Sequence, residues 1–148
     1  MYKFKFRYES ILNLLENKEN QIKNNLGLVY SELHQEENKL KKLIDESATY
    51  SNLIKTNLEK GCKLHLLRNM ESYKNILNSK IKHQNDRVIQ KKEKANLIKS
   101  ELVEILKEKK IMENIKEKDL THYKEKLKSI EEKNIDQLVT YSNSIVNR

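Results

Sequence analysis

The sequence predicts an all-α fold: two long helices forming an antiparallel coiled-coil hairpin, with the second helix the longer. Three observations predict it. The 148 residues include no proline and only two glycines, Gly27 and Gly61, whereas turns are built largely from those two residue types. Apolar residues recur at heptad spacing over most of the chain, the signature of a coiled-coil seam. Charged residues make up 35% of the chain and the common hydrophobic set 36%, with no tryptophan, which suits a narrow seam better than a globular core. The regular recurrence also argues against disorder. One coiled-coil domain over residues 1–148 is expected.

Helix one is expected over about residues 4–59. One seam position takes Tyr8, Leu15, Ile22, Val29, Glu36, Leu43, Tyr50 and Asn57. The other takes Leu12, Glu19, Leu26, Leu33, Leu40, Ser47 and Ile54. Glu19, Glu36 and Asn57 weaken this seam if exposed, or fix its register if covered. Gly27 interrupts the helix interior at a cost of roughly 1 kcal/mol relative to Ala. It reads as a tolerated weak point or a site of close approach, not a domain break.

The bend is expected at about residues 60–65, where Lys60 precedes Gly61. Glycine commonly follows a helix end, and a cation suits the last turn. Helix two is expected over about 66–146. Its seam runs through Met70, Leu77, Gln84, Lys91, Ile98, Ile105 and Met112. Tyr73 or Lys74, then Ile81, Val88, Ala95, Leu102 and Lys109, interleave with it. After Met112 the phase slips by about one residue, to Leu120, Leu127, Asn134 and Tyr141, with Tyr123, Ile130, Leu138 and Ile145 beside them. A slip of this kind changes the local supercoil and marks the end of one packing partner.

The lengths are unequal. Helix one spans about 85 Å and helix two about 120 Å at 1.5 Å per residue. Pairing from a bend near Gly61 sets Leu43 opposite the neighbourhood of Ile81, and Tyr8 opposite that of Lys116. Residues 121–148 then overhang. Their apolar stripe of Tyr123, Leu127, Ile130, Leu138, Tyr141 and Ile145 reads as an interaction surface. Folding back, dimerisation or fraying of the tail is the alternative.

Catalysis is not expected. The chain has no glycine-rich phosphate loop, HExxH, CxxC or GxSxG motif that would carry such chemistry. Cys62 is the single cysteine, so no intrachain disulfide forms, and a reducing compartment fits. With His65 it supplies two potential ligands, too few for a zinc site, and His34, His83 and His122 are scattered. No cofactor, metal site or catalytic residue is assigned. The net charge of +8, carried mostly by lysine, fits a solvated surface or an attraction to an acidic partner or anionic membrane. No arginine-rich stripe interleaves with stacking aromatics, so nucleic acid is not an expected partner. The longest uncharged runs fall far short of the roughly 20 residues of a membrane span, and the opening Met1–Arg7 segment breaks any leader-like run with charge. A cytoplasmic protein is expected, peripheral at the membrane at most.

The string Phe4-Lys5-Phe6-Arg7-Tyr8-Glu9-Ser10-Ile11-Leu12-Asn13-Leu14 resembles the opening of flagellar export proteins of the FliJ family. The segment Glu36–Asp45, then Tyr50, Gly61 near the bend, and Tyr73 followed by Leu77 and Ile81, fall in the family's order and spacing. The resemblance covers essentially the whole chain. It implies an antiparallel two-helix coiled coil, similar to the γ stalk of rotary ATPases, in the flagellar type III export apparatus. Such a stalk is expected to enter the ring of the export ATPase FliI, promote its assembly and activity, and link it to the membrane gate protein FlhA. Export chaperones are further expected partners.

The resemblance points to Phe4, Phe6, Arg7, Tyr123, Leu127, Ile130, Leu138 and Tyr141 at the ATPase ring, and to Leu43, Tyr50, Tyr73 and Leu77 at the gate. Lys39, Glu46, Lys80 and Gln84 occupy other positions of the family's gate cluster but depart from its character. Leu43, Tyr50 and Leu77 also fall on the seam, so core and interface readings stand side by side for them. An injectisome-type stalk and a self-associating structural coil are the alternative functions.

Overall fold

The computed structural model describes residues 3–147; Met1, Tyr2 and Arg148, the outermost residues of the expected domain, lie outside the described residues. Two helices account for nearly all of it: α1 (Glu9–Lys60) and α2 (Leu64–Val146). No strand occurs among the described residues. This is the expected all-α hairpin with the second helix longer, 83 residues against 52.

Local chemistry explains the helix ends. Residues 3–8 are not helical. The Glu9 N–H donates to the Phe6 carbonyl at 3.3 Å, and the Tyr8 carbonyl accepts the first intrahelical bond, from the Leu12 N–H at 3.0 Å. Glu9 places a carboxylate in the first turn, where the helix dipole favours it. At the other end Gly61 adopts φ +82°. A side chain there would meet its own backbone, so glycine ends the helix at little cost. After Cys62 the carbonyl of Lys63 accepts from the N–H groups of Leu66 and Leu67, at 3.1 and 3.2 Å, and opens α2.

The chain divides into two compact units. In the Gln21–Leu102 unit, α1 and α2 run antiparallel around a core of Val29, Ala95 and Ile98, flanked by Ile22 and Leu26. Leu77 and Val88 extend this buried line. The second unit joins residues up to Asn20 with those from Val103 onward. Here Leu12 and Leu15 are buried, and Ile105, Met112 and Leu120 are half-buried on α2. In both units the covered residues of the two helices are heptad positions, because only a 3.5-residue repeat keeps one line of side chains facing a neighbouring helix.

Polar seam residues are paired across the helices. Glu19, only 7% exposed, accepts a hydrogen bond from Lys109 Nζ at 2.8 Å. Gln84 is buried as well, and its Nε2 donates to the Glu36 carbonyl at 3.0 Å and to the Glu36 carboxylate. Asn57 Nδ2 approaches Met70 Sδ at 3.5 Å. A slip of one helix past the other strands these groups, so they specify register. Gly27 is exposed with nothing within 4 Å of the space a side chain would fill. It is a weak point of α1 and not a site of close approach.

Candidate functional site

The sequence-predicted residues fall on two surfaces, one in each unit. The first lies where the N-terminal segment meets α2. Phe4 packs on Tyr123 with ring centroids 5.4 Å apart. Phe6 is 8% exposed. Its ring meets Tyr8 edge-on at 5.8 Å and carries the Lys116 ammonium 5.8 Å from its centroid. Lys116 also pairs with Glu9 at 3.0 Å, and Arg7 stands over the Tyr8 ring at 5.5 Å. The N-terminal string is therefore a clasp of alternating aromatics and cations, with Phe6 as its buried member.

Every described residue after Tyr123 is exposed. Leu127 is the least open of the large apolar ones, Ile130 is about half open, and Leu138 and Tyr141 are each 68% exposed. Phe4, Phe6 and Tyr123 are brought together; Leu127, Ile130, Leu138 and Tyr141 follow along α2 without cover from the described residues. The apolar face is wider than the stripe read from sequence, because Ile135, Val139 and Val146 are exposed beside it. Their spacing, Ile135 to Val139 and both beside Leu138, carries that signal in the sequence, but it lies off a single seam line.

The second surface belongs to the Gln21–Leu102 unit. The Tyr50 and Tyr73 rings meet at 4.7 Å with an interplanar angle of 60°. The Tyr73 hydroxyl donates to Glu46 Oε1 at 2.8 Å, and this bond to a carboxylate pushes the phenol above its usual range. Tyr73 is 37% exposed, whereas Leu77 is 1% exposed. Leu77 thus lies under the surface and supports it, while Tyr73, with Glu46 bonded to it, presents it. Leu43 and Tyr50 are half-buried. Lys39 pairs with Glu36 at 3.6 Å, and Gln84 is drawn inward to the same glutamate.

Ionisation along this unit follows the cross-helix bonds. The hydrogen bond from Lys91, 2.6 Å from Glu32, holds the Glu32 carboxyl below the usual carboxylate range. The bond from Gln84 does the same for Glu36, with the Lys39 and Arg87 charges adding to it. These groups are structural partners, and none sits in an enclosed cleft with a nucleophile. Among the described residues no group of three potential metal ligands is placed to hold an ion, and no helix is long and apolar enough to cross a membrane. The arrangement supports recognition by packing and charge.

Comparison with known families finds one that matches residues 4–144: the family described as Flagellar FliJ protein. No curated protein matches the chain. Neither does any solved structure.

Proposed function

The chain belongs to the flagellar FliJ protein family, and on that premise we propose that it acts as a stalk between the FliI export ATPase ring and the FlhA export gate. The family carries a role in flagellar export. The finer reading assigns the unit holding both chain ends to the ring. Phe4, Phe6 and Arg7 with Tyr123 form its clasp, and Leu127, Ile130, Leu138 and Tyr141 supply the docking stripe. The Tyr50–Tyr73 surface is assigned to the gate, with Leu43 beside it and Leu77 beneath. Export chaperones are further partners, and the site of action is the cytoplasmic face of the membrane, reached peripherally through these contacts.

One observation carries the reading: an apolar face on α2 continues beyond Tyr123 with no cover from the described residues. Contiguous apolar surface on a protein marks an interaction site. No bond-making chemistry is required of the stalk. A helix that contacts ring subunits unequally changes their nucleotide turnover through its different affinity for their conformational states.

The test is the ATP hydrolysis rate of the FliI from the same source. It is measured with the full chain, with a chain ending at Lys124, and with Leu138→Glu. Ending at Lys124 keeps the Phe4–Tyr123 contact, so loss of activity reports the tail and not the clasp. Stimulation by the full chain that both variants abolish is expected. Equal stimulation by all three removes the tail from the mechanism, and no stimulation at all removes the stalk reading. Sedimentation equilibrium covers self-association, the other use of an uncovered stripe: a stable dimer that dissociates on truncation favours a structural coil.

A further inference from the structure

The positive charge is concentrated. Residues 60–99 hold eleven Lys and Arg against three Asp and Glu, an excess equal to the +8 of the whole chain. All of it lies within the Gln21–Leu102 unit. One row of α2 is cationic at its centre, with Lys80, His83, Arg87 and Lys94 at successive three-, four- and seven-residue steps. The same row begins at Tyr73 and Ile76 and ends at Leu97, all exposed. Gln90 completes the row, so it contains no acidic residue. Its span of 24 steps is about 36 Å.

Midway along the row the surface is hollowed. Leu43 from α1, with Ser79, Lys80, His83, Gln84 and Arg87 from α2, lines the hollow. Among the described residues no carboxylate forms an ion pair with Lys80, His83 or Arg87. Glu36 on α1 feels the Arg87 charge but is already bonded by Gln84 and paired with Lys39. Glu32 is taken by Lys91.

We propose that this row is a docking groove for an acidic amphipathic helix of a partner protein, with carboxylates meeting Lys80, His83 and Arg87 and apolar residues meeting Tyr73, Ile76 and Leu97. The inference rests on reading this face as a docking surface, not on which protein docks there. Two features select a helix over a lipid surface. The row keeps a 3.5-residue step, so a third helix follows it turn by turn along the supercoil. Leu43 lies in the furrow between α1 and α2, which a helix of about 10 Å diameter fills and a flat bilayer bridges. The charge sets encounter rate and register, and the apolar ends supply the burial.

The test uses the full chain and a labelled 25-residue helical peptide. The peptide has leucine at both ends of one face and four glutamates, spaced three and four apart, between them. A second peptide has glutamine at those four positions. Binding is read by fluorescence anisotropy for the wild type, for Lys80→Gln with Arg87→Gln, and for Lys124→Gln with Lys128→Gln in the tail. Circular dichroism confirms equal helicity of the three proteins. The glutamine peptide and the Lys80/Arg87 variant are each expected to weaken binding about tenfold, as loss of paired charges at a docking surface does. The tail variant is expected to bind as the wild type does. Absence of binding by the glutamate peptide overturns the proposal. So do equal affinities of the two peptides, or equal losses in the two double variants. Co-sedimentation with phosphatidylglycerol vesicles that depends on Lys80 and Arg87, without peptide binding, assigns the row to a membrane and also overturns it.

Discussion

Leu77 decides whether the Tyr50–Tyr73 surface is built from a core or is itself a loose patch. Its side chain is 1% exposed, so Leu77→Ala removes three buried carbons. At about 0.8 kcal/mol for each buried methylene this is about 2.4 kcal/mol of lost transfer energy. A cavity adds to that cost in a closed core, where Leu→Ala changes run from about 2 to 5 kcal/mol. A two-helix seam is open on both flanks, so neighbouring side chains and water relax into the space. The expected loss is therefore near the lower end, about 2–3 kcal/mol. Urea unfolding followed by circular dichroism at 222 nm measures it, with an unchanged m-value showing that the unfolded state is the same. Tyr73→Ala, made at a partly exposed ring, is expected to shift the midpoint far less. A Leu77→Ala loss below about 0.5 kcal/mol, the range of ordinary surface substitutions, refutes the burial argument.

Gly27→Ala is expected to stabilise the chain by about 0.5–1 kcal/mol, because the site is helical and open and alanine reduces the entropy of the unfolded chain; thermal and urea midpoints both report it, and a drop in either contradicts the open geometry. Glu19→Gln weakens the charge-assisted bond to Lys109 on a covered seam, so it is expected to lower the urea midpoint, while Glu108→Gln on the exposed face leaves it unchanged. The bond to Glu19 raises the Lys109 pKa above the usual lysine value of 10.5, so that contribution is complete below this value and is lost as pH rises through the higher folded-state value. Glu32 and Glu36 behave oppositely. Their pKa values are lowered from 4.5 in the folded state, so the unfolded chain binds more protons just below pH 4.5 and stability falls as the pH drops through the folded-state values. The double variant Glu32→Gln with Glu36→Gln is expected to flatten that acid limb, and an unchanged limb rules out these two carboxylates as its source.

The seam was legible in the sequence and the clasp was not. Leu12 to Asn57 on α1, and Met70 to Met112 on α2, show their heptads because burial on a helix recurs at a fixed step. Gly61 announced the bend because only one residue there needs a left-handed backbone. The slip after Met112 was visible too, and the half-buried Leu120 and Tyr123 follow it. The N-terminal string has the same apolar spacing, and a helix from about residue 4 was expected. The helix starts at Glu9 because Phe4 and Phe6 pack on Tyr123 and beside Lys116, contacts more than a hundred residues away in sequence that no local pattern encodes. The polar seam residues were ambiguous for a related reason. Whether Glu19 and Glu36 weaken or fix the seam depends on Lys109 and Gln84, and long side chains reach a turn beyond the residue directly opposite.

The tail shows what a heptad alone leaves undecided. Leu15 and Leu138 both fall on apolar seam lines, yet one is 5% and the other 68% exposed. The difference lies in the supply of partners, since α1 has 52 residues to cover a helix of 83. Past Tyr123, α2 is held by backbone bonds and side-chain propensity alone. That suffices because the segment holds no Gly or Pro and continues a helix already nucleated upstream, so each added residue avoids the cost of starting a new turn. A tail that is helical before it meets anything gives up little backbone freedom on docking, which leaves more of the burial of Leu127, Ile130, Leu138 and Tyr141 as net affinity. The same absence of intrachain packing makes helicity here responsive to single substitutions. Val139→Gly is therefore expected to reduce both tail helicity and the ATPase stimulation proposed above, with Asn147→Gly just past the helix end changing neither.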